Sequence, residues 1–269
     1  MSITSQARWA AAALSTAVLL ASTLAASSAS QAVTSPEPCF NPEGGACLGP
    51  LAPGTYETTV FRPGIRYTVP DGWVNGEDLI GNFTIFRGDD PQVGLVGGSY
   101  VGIYADVRIP DGCEEHPDPA IGHQPADLVA WFVDHPGLAT SRPRKVKVGG
   151  LRGMVVDVPL KKGYEGGCPW SEGHPVVPLI IGSGVSSLFH VSLHEIDVRL
   201  IVLKWKHTNV TVELTSVKSQ HSHRQWMRIV RPIIRSLAFD ADNGSSFAGP
   251  DTTLTLEHVR RTPDHCVGC

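Results

Sequence analysis

Apolar and polar residues alternate in short runs through most of this chain, and the runs end at clusters of Gly, Pro and Asp. TYETTVF and GIRYTV (55–61 and 64–69), separated by Arg62-Pro63, read as two strands with a tight connection. A polar stretch follows Trp73. Then come the strand signals NFTIFRG (82–88) and SYVGIYADVRI (99–109), on either side of the Gly-rich DDPQVGLVGG. The period changes at QPADLVAWFVDHPG (124–137). Leu128, Trp131 and Phe132 share a helical face there, Pro125 suits a first turn and Pro136 stops the run, which predicts one short buried helix.

Strands resume with RKVKV (144–148) and GMVVDVPL (153–160), which form a hairpin around Gly149-Gly150. VVPLIIG, SLFHVSLHE, VRLIVLKWK and NVTVELTSV are expected as successive strands of an antiparallel meander. The unbroken Leu200-Ile201-Val202-Leu203 implies cover on both faces. In HSHRQWMRIVRPIIRSLAF (221–239), Trp226, Ile229, Val230, Ile233, Ile234 and Leu237 recur at helical spacing, with Pro232 inside and expected to kink or split the helix. The sum is an α+β domain over 55–239, a large antiparallel sheet with two helices.

Both ends differ from this pattern. Residues 1–32 place Arg8 before an Ala/Leu/Val-rich run and a small-residue segment, the layout of a secretory signal peptide with cleavage after Ala29 or Ala32. An uncleaved anchor fits less well, because the run contains Ser and Thr and exits through small residues. No other stretch is long and apolar enough to span a bilayer, so stable membrane insertion after cleavage is not expected. Residues 33–54 form a Pro/Gly-rich lead-in, and 240–269 a polar tail with a possible short strand at TTLTLEHV.

The formal net charge of −4 gives no global attraction for nucleic acid. Export changes the reading of the six Cys, since thiols in an oxidising compartment tend to pair. Cys39 and Cys47 make a local staple. Cys113 and Cys168, in the turn-rich DGCEE and GGCPW, are expected to join two loops. Cys266 and Cys269 form a C-x-x-C at the C-terminus, read as a tail disulfide or a flexible thiol pair.

Local catalytic motifs are missing. Ser183 stands between glycines without a following helix pattern, so it makes no nucleophile elbow. Phosphate loops and H-E-x-x-H do not occur. His190 and His194 alternate with Phe189, Val191 and Leu193 as in a strand, which puts their Cα atoms roughly 13 Å apart and rules out easy sharing of one metal. They read as a polar sheet face. His221 and His223 lack a third ligand and read as a helix lead-in. No metal site and no cofactor is implied.

Arg224, Arg228, Arg231 and Arg235 line one side of the last helix, as a solvated face or a grip for an anionic partner. Arg87-Gly88-Asp89 spells an adhesion tripeptide that is too short to count. Asn82, Asn209 and Asn243 head N-x-S/T sequons, the first two at strand starts. KKGYEGGCPWSEGHP (161–175) is the main binding candidate. Tyr164 and Trp170 flank its Cys, either as a recognition surface or, for Trp170, as packing against the disulfide.

YTVPDGW (67–73) and VRIPDGC (107–113) both end strands in Pro-Asp-Gly. Their flanks share nothing further, so this is turn chemistry and no internal repeat. Trp73 is expected as a core plug, and Cys113 as a loop tie.

A strand ending Pro70 to Trp73, a mid-chain helix, the hairpin at Val148-Gly149-Gly150, antiparallel strands and a closing helix ending in Ser236-Leu237-Ala238-Phe239 together resemble the PsbP-like α/β fold. TYETTVF, TVPDGW, LVAWFVDHPG, CPW and VPLIIG are similar to uncharacterised secreted proteins of actinobacteria. The resemblance covers 52–239, implies a binding or accessory role, and carries over no functional residue. The expectation is therefore a secreted, extracellular, monomeric, non-enzymatic module for a small ligand, cell-wall component or protein partner. The alternative is a secreted hydrolase whose catalytic groups come from distant loops.

Overall fold

A computed structural model describes residues 49–88, 98–182 and 189–240. The leader, Cys39, Cys47, Ser183, Asn243, Cys266, Cys269 and TTLTLEHV, where the sequence allows a short strand, lie outside the described residues.

In chain order the strands are β1 (Gly49–Leu51), β2 (Gly54–Glu57), β3 (Ile65–Val69), β4 (Trp73–Leu79), β5 (Asn82–Arg87), β6 (Tyr100–Ala105), β7 (Arg144–Val148), β8 (Leu151–Asp157), β9 (Val177–Ile181), β10 (Phe189–Ser192), β11 (Ile196–Trp205), β12 (Thr208–Val217) and β13 (Ala238–Phe239). Helix α1 spans Pro125–Asp134 and α2 spans His223–Ser236. An eight-stranded sheet of order β1-β4-β5-β6-β12-β11-β8-β7 forms the centre, and its strand pairings are antiparallel. The α+β reading with a large antiparallel sheet and two helices holds.

Three details depart from the sequence expectations. First, the polar stretch after Trp73 is strand β4, with a bulge between Asn75 and Glu77. Its polarity is interior: Asp78 is buried, and its carboxylate accepts from the backbone N–H of Thr59 (2.6 Å) and Phe61 (2.8 Å), which pins the β2–β3 connection. Second, β9 and β10 leave the meander and pair with each other as a separate two-stranded sheet. Third, α2 runs unbroken through Pro232, because burial of Trp226, Val230 and Ile233 outweighs one lost hydrogen bond.

Strand alternation sorts the side chains of the large sheet onto two faces. One face carries Phe83, Ile85, Val101, Ile103, Ile201, Leu203, Val210 and Val212 against α2 and the three-stranded sheet β13-β3-β2. Trp73 belongs to this core, its ring 6.0 Å from that of Trp226. The other face carries Val156, Val198, Leu200 and Val202 against α1 and β9. Leu200 to Leu203 are accordingly buried on both sides. The β7–β8 hairpin closes on Gly149 (φ 56°) and Gly150 (φ 90°), left-handed conformations that a two-residue turn between twisted strands requires.

Candidate functional site

Cys113 and Cys168 are joined by a disulfide, with Cα atoms 5.5 Å apart. Cys168 is buried and leads into a 3-10 turn, Pro169–Ser171, where the Ser171 hydroxyl accepts from the Cys168 backbone N–H at 3.1 Å. Trp170 is thereby held out from the turn, 45% exposed, and its indole N–H donates to the Cys113 carbonyl at 3.2 Å. The two halves of the expected surface have separated. Tyr164 is half-buried against the apolar cluster around α1, its ring edge-on to His135, and it fills the space beside Gly137. Tyr164 therefore props the loop from within, while Trp170 is presented.

A second site was not singled out from the sequence. On the face carrying α1, the half of the large sheet made by β4, β5, β6 and β12 is polar, and β10 lays His190 onto it. Glu213 of β12 is 1% exposed. Its Oε1 accepts from the Tyr100 hydroxyl (2.8 Å) and the Thr215 hydroxyl (2.7 Å), and its Oε2 lies 2.8 Å from His190 Nδ1. The Tyr104 ring packs on the imidazole with centroids 4.2 Å apart. Gly102, directly opposite Glu213 in the β6–β12 register, makes this possible: a Cβ there would stand 2.1 Å from the Tyr104 hydroxyl oxygen. On the neighbouring strands Asn82 Nδ2 donates to Glu77 Oε2 at 2.6 Å.

The two carboxyls are driven apart. For Glu213, burial opposes ionisation, but the attraction of His190 and hydrogen bonds from His190, Thr215 and Tyr100 hold it below the usual carboxylate range. For Glu77, burial prevails over its hydrogen bonds and the nearby His190 and raises it. An ionised Glu213 requires the proton on Nδ1 of His190, which in the neutral ring leaves Nε2 as an acceptor, the arrangement of a general base. Among the described residues, no Ser or Cys side chain is hydrogen-bonded to His190.

The sequence had hidden this site by its own regularity. Asn209, Thr211, Glu213 and Thr215 alternate with Val210, Val212 and Leu214, a pattern that reads as one wet face. All of them are buried. The available signal was Leu200 to Leu203: a strand paired beside one that is covered on both faces is itself covered.

Other expectations resolve by position. The polar face read for His190, Ser192 and His194 turns inward at its first two members, and buried Ser192 donates to the Val158 carbonyl; His194 is exposed. His221 stacks on Trp226, whereas His223 Nε2 approaches Asp157 Oδ1 at 3.3 Å. No group of three or more His, Cys, Asp or Glu positioned for a metal occurs among the described residues. Asn82 and Asn209 are buried and hydrogen-bonded, Asn209 Nδ2 to the Val107 carbonyl, so neither is open to glycosylation in the fold. Arg224, Arg228, Arg231 and Arg235 all stand exposed on α2. No helix among the described residues is long and apolar enough to cross a membrane.

No protein-family model matches this chain, and no curated protein does. A solved structure from Bacteroides thetaiotaomicron VPI-5482 is similar over 66% of this chain and 46% of its own length, at 11% identity and a TM-score of 0.30. This chain thus spans under half of that neighbour, and the likeness carries no argument.

Proposed function

We propose that this chain is an exported, non-catalytic binding module that meets its partner through the disulfide-braced loops bearing Trp170. One observation carries this reading: a large aromatic stands exposed on a turn fixed at both its backbone and its indole N–H. A rigid aromatic loses little freedom on binding and makes an effective anchor. Export is supported by the signal-like leader, and a disulfide bridging 55 residues is compatible with an oxidising compartment. The order of elements supports PsbP-like membership. The test is recovery of partners from envelope and medium by the native chain and by Trp170→Ala. Loss of one specific partner with Trp170→Ala, at unchanged thermal midpoint, is expected; equal recovery by both would overturn the reading.

A second reading, the hydrolase assembled from separate segments, is favoured by the oppositely shifted Glu77 and Glu213 around one imidazole, since such pairs divide acid and base roles. Turnover of chromogenic ester, glycoside or phosphoester substrates that His190→Gln abolishes would establish it. No turnover by the native chain would remove it.

A further inference from the structure

A groove of about 730 Å³ opens where the edge strand β7, with β8 and β11 beside it, meets the first turn of α1. Its floor is apolar, supplied by Met154, Pro125 and Ala126; Val146 also borders the groove, but its side chain alternates to the other face and packs against the core under α2. Its other charged members are all cations: Lys145, Lys147, Arg152 and Lys204. Registry explains the grouping. Lys145 pairs with Met154 and Lys147 with Arg152, so these four side chains share one face, and Met154 in turn pairs with Val202, two residues before Lys204. All four cations are exposed, and none makes an ion pair among the described residues. The nearest acid of α1's first turn, Asp127, is engaged with the Gln124 backbone N–H and does not line the groove.

Four unneutralised cations around an apolar floor, on a chain whose net charge is −4, form a local reversal of sign. We propose that this groove binds a single-chain anionic amphiphile, its apolar chain along Met154, Pro125 and Ala126 and its carboxylate or phosphate head among the lysines and Arg152. The volume lies in the usual range for small-ligand sites, about 300–1,000 Å³. The apolar floor contributes through burial, and the cations contribute charge-assisted hydrogen bonds. A monomeric amphiphile fits better than a bilayer surface. The large apolar side chains that stand exposed among the described residues, Ile80, Val133 and Trp170, do not line the groove, so it has no apolar rim to insert. The site is independent of the Trp170 surface.

The experiment is calorimetric titration of the purified chain with laurate, dodecyl phosphate, dodecyl maltoside, inorganic phosphate and phosphatidylglycerol vesicles, with the single-chain amphiphiles kept below micelle formation. Laurate and dodecyl phosphate are expected to bind one per chain, at least tenfold more tightly than neutral dodecyl maltoside and inorganic phosphate. Lys147→Gln/Lys204→Gln, two exposed changes, is expected to weaken laurate at least tenfold at unchanged thermal midpoint, and Trp170→Ala to leave it unchanged. Four results would overturn the proposal: equal binding of the neutral detergent, equal binding of inorganic phosphate, no binding of any amphiphile, or association only with phosphatidylglycerol vesicles. If instead Trp170→Ala alone lost its protein partner while laurate bound as expected, the two surfaces would be separated as argued.

Discussion

The two faces of the eight-stranded sheet bury opposite chemistry with the same strands. In β12, Val210, Val212 and Leu214 enter the core under α2, while Asn209, Thr211, Glu213 and Thr215 point to the face that carries β10; each of the seven is at most 2% exposed. The apolar face is stabilised by area, and it tolerates imperfect hydrogen bonding: the Tyr67 hydroxyl and the indole N–H groups of Trp73 and Trp226 are buried there without a partner. Burial accordingly lifts the Tyr67 phenol far above its ordinary value. The polar half works the other way. Its carboxylate is engaged at both oxygens: Oε1 accepts from the Tyr100 and Thr215 hydroxyls, and Oε2, which makes no hydrogen bond of good geometry, lies 2.8 Å from His190 Nδ1. A face held by area loses stability in proportion to what is removed, whereas a satisfied polar network fails when one member leaves.

That contrast is most exposed at two adjacent residues. Glu213→Ala would leave the Tyr100 and Thr215 hydroxyls and His190 in the interior without their acceptor, at about 1–3 kcal/mol for each polar group left unsatisfied, so the expected loss is about 3 kcal/mol or more. Val212→Ala, one position away on the other face, removes two methyl groups and should cost about 2 kcal/mol. Urea unfolding midpoints of both variants check the difference. If Glu213→Ala proved the milder change, the polar half would not be a network in this sense.

Acid should discriminate between the faces more gently. Glu213 is depressed below its ordinary value of 4.5. Its contribution is therefore complete above that value and is lost as pH falls through the lower folded value. Asp157 is also depressed: burial opposes ionisation, but His223 of α2 and Arg199 prevail, so its contribution is likewise lost in acid. Glu77, raised by burial, has the opposite sign: its ionisation weakens the fold as pH climbs through its folded value. Glu213→Gln should flatten the acid limb of a stability profile measured between about pH 2 and 7, and Asp157→Asn should flatten its lowest part, below that group's ordinary value of 3.8. A Glu213→Gln profile parallel to the native one would show that this carboxylate does not carry the acid response.

Much of this fold was legible because its signals are local. The helix at 125–134 declared itself by Pro125, the Leu128/Phe132 spacing and Pro136, and the β7–β8 hairpin by Gly149-Gly150. The Cys113–Cys168 pairing followed from two turn-rich loops in a chain expected to be exported. Strand β4 was hidden because Asn75, Glu77 and Asp78 look like loop residues; what makes them strand residues is partners distant in sequence, such as the Thr59–Phe61 backbone for Asp78. The His190 site was hidden for a related reason. Alternation gives the face a side chain points to, but only tertiary contacts decide whether that face meets water. The groove cations were scattered over 145–204, and only the registry of β7, β8 and β11 gathers them.

The smallest expected effect tests the contrast most finely. Thr211 is fully buried on the polar half, and its hydroxyl donates to Asn209 Oδ1 at 3.1 Å. That oxygen also accepts from the Val107 backbone N–H at 3.3 Å, so Thr211→Val removes a donor without leaving its acceptor alone. The loss should stay within about 1 kcal/mol, the net worth of one ordinary hydrogen bond. The reverse exchange on the neighbouring position, Val212→Thr, places a hydroxyl among Ile103, Ile201 and other apolar side chains of the core under α2 and should cost about 1–3 kcal/mol. Both exchanges involve side chains of nearly the same shape, so packing is held constant and only the polarity of the surroundings differs. Equal losses would mean that the two interiors treat a hydroxyl alike, and the division between an area-held face and a network-held face would have to be given up.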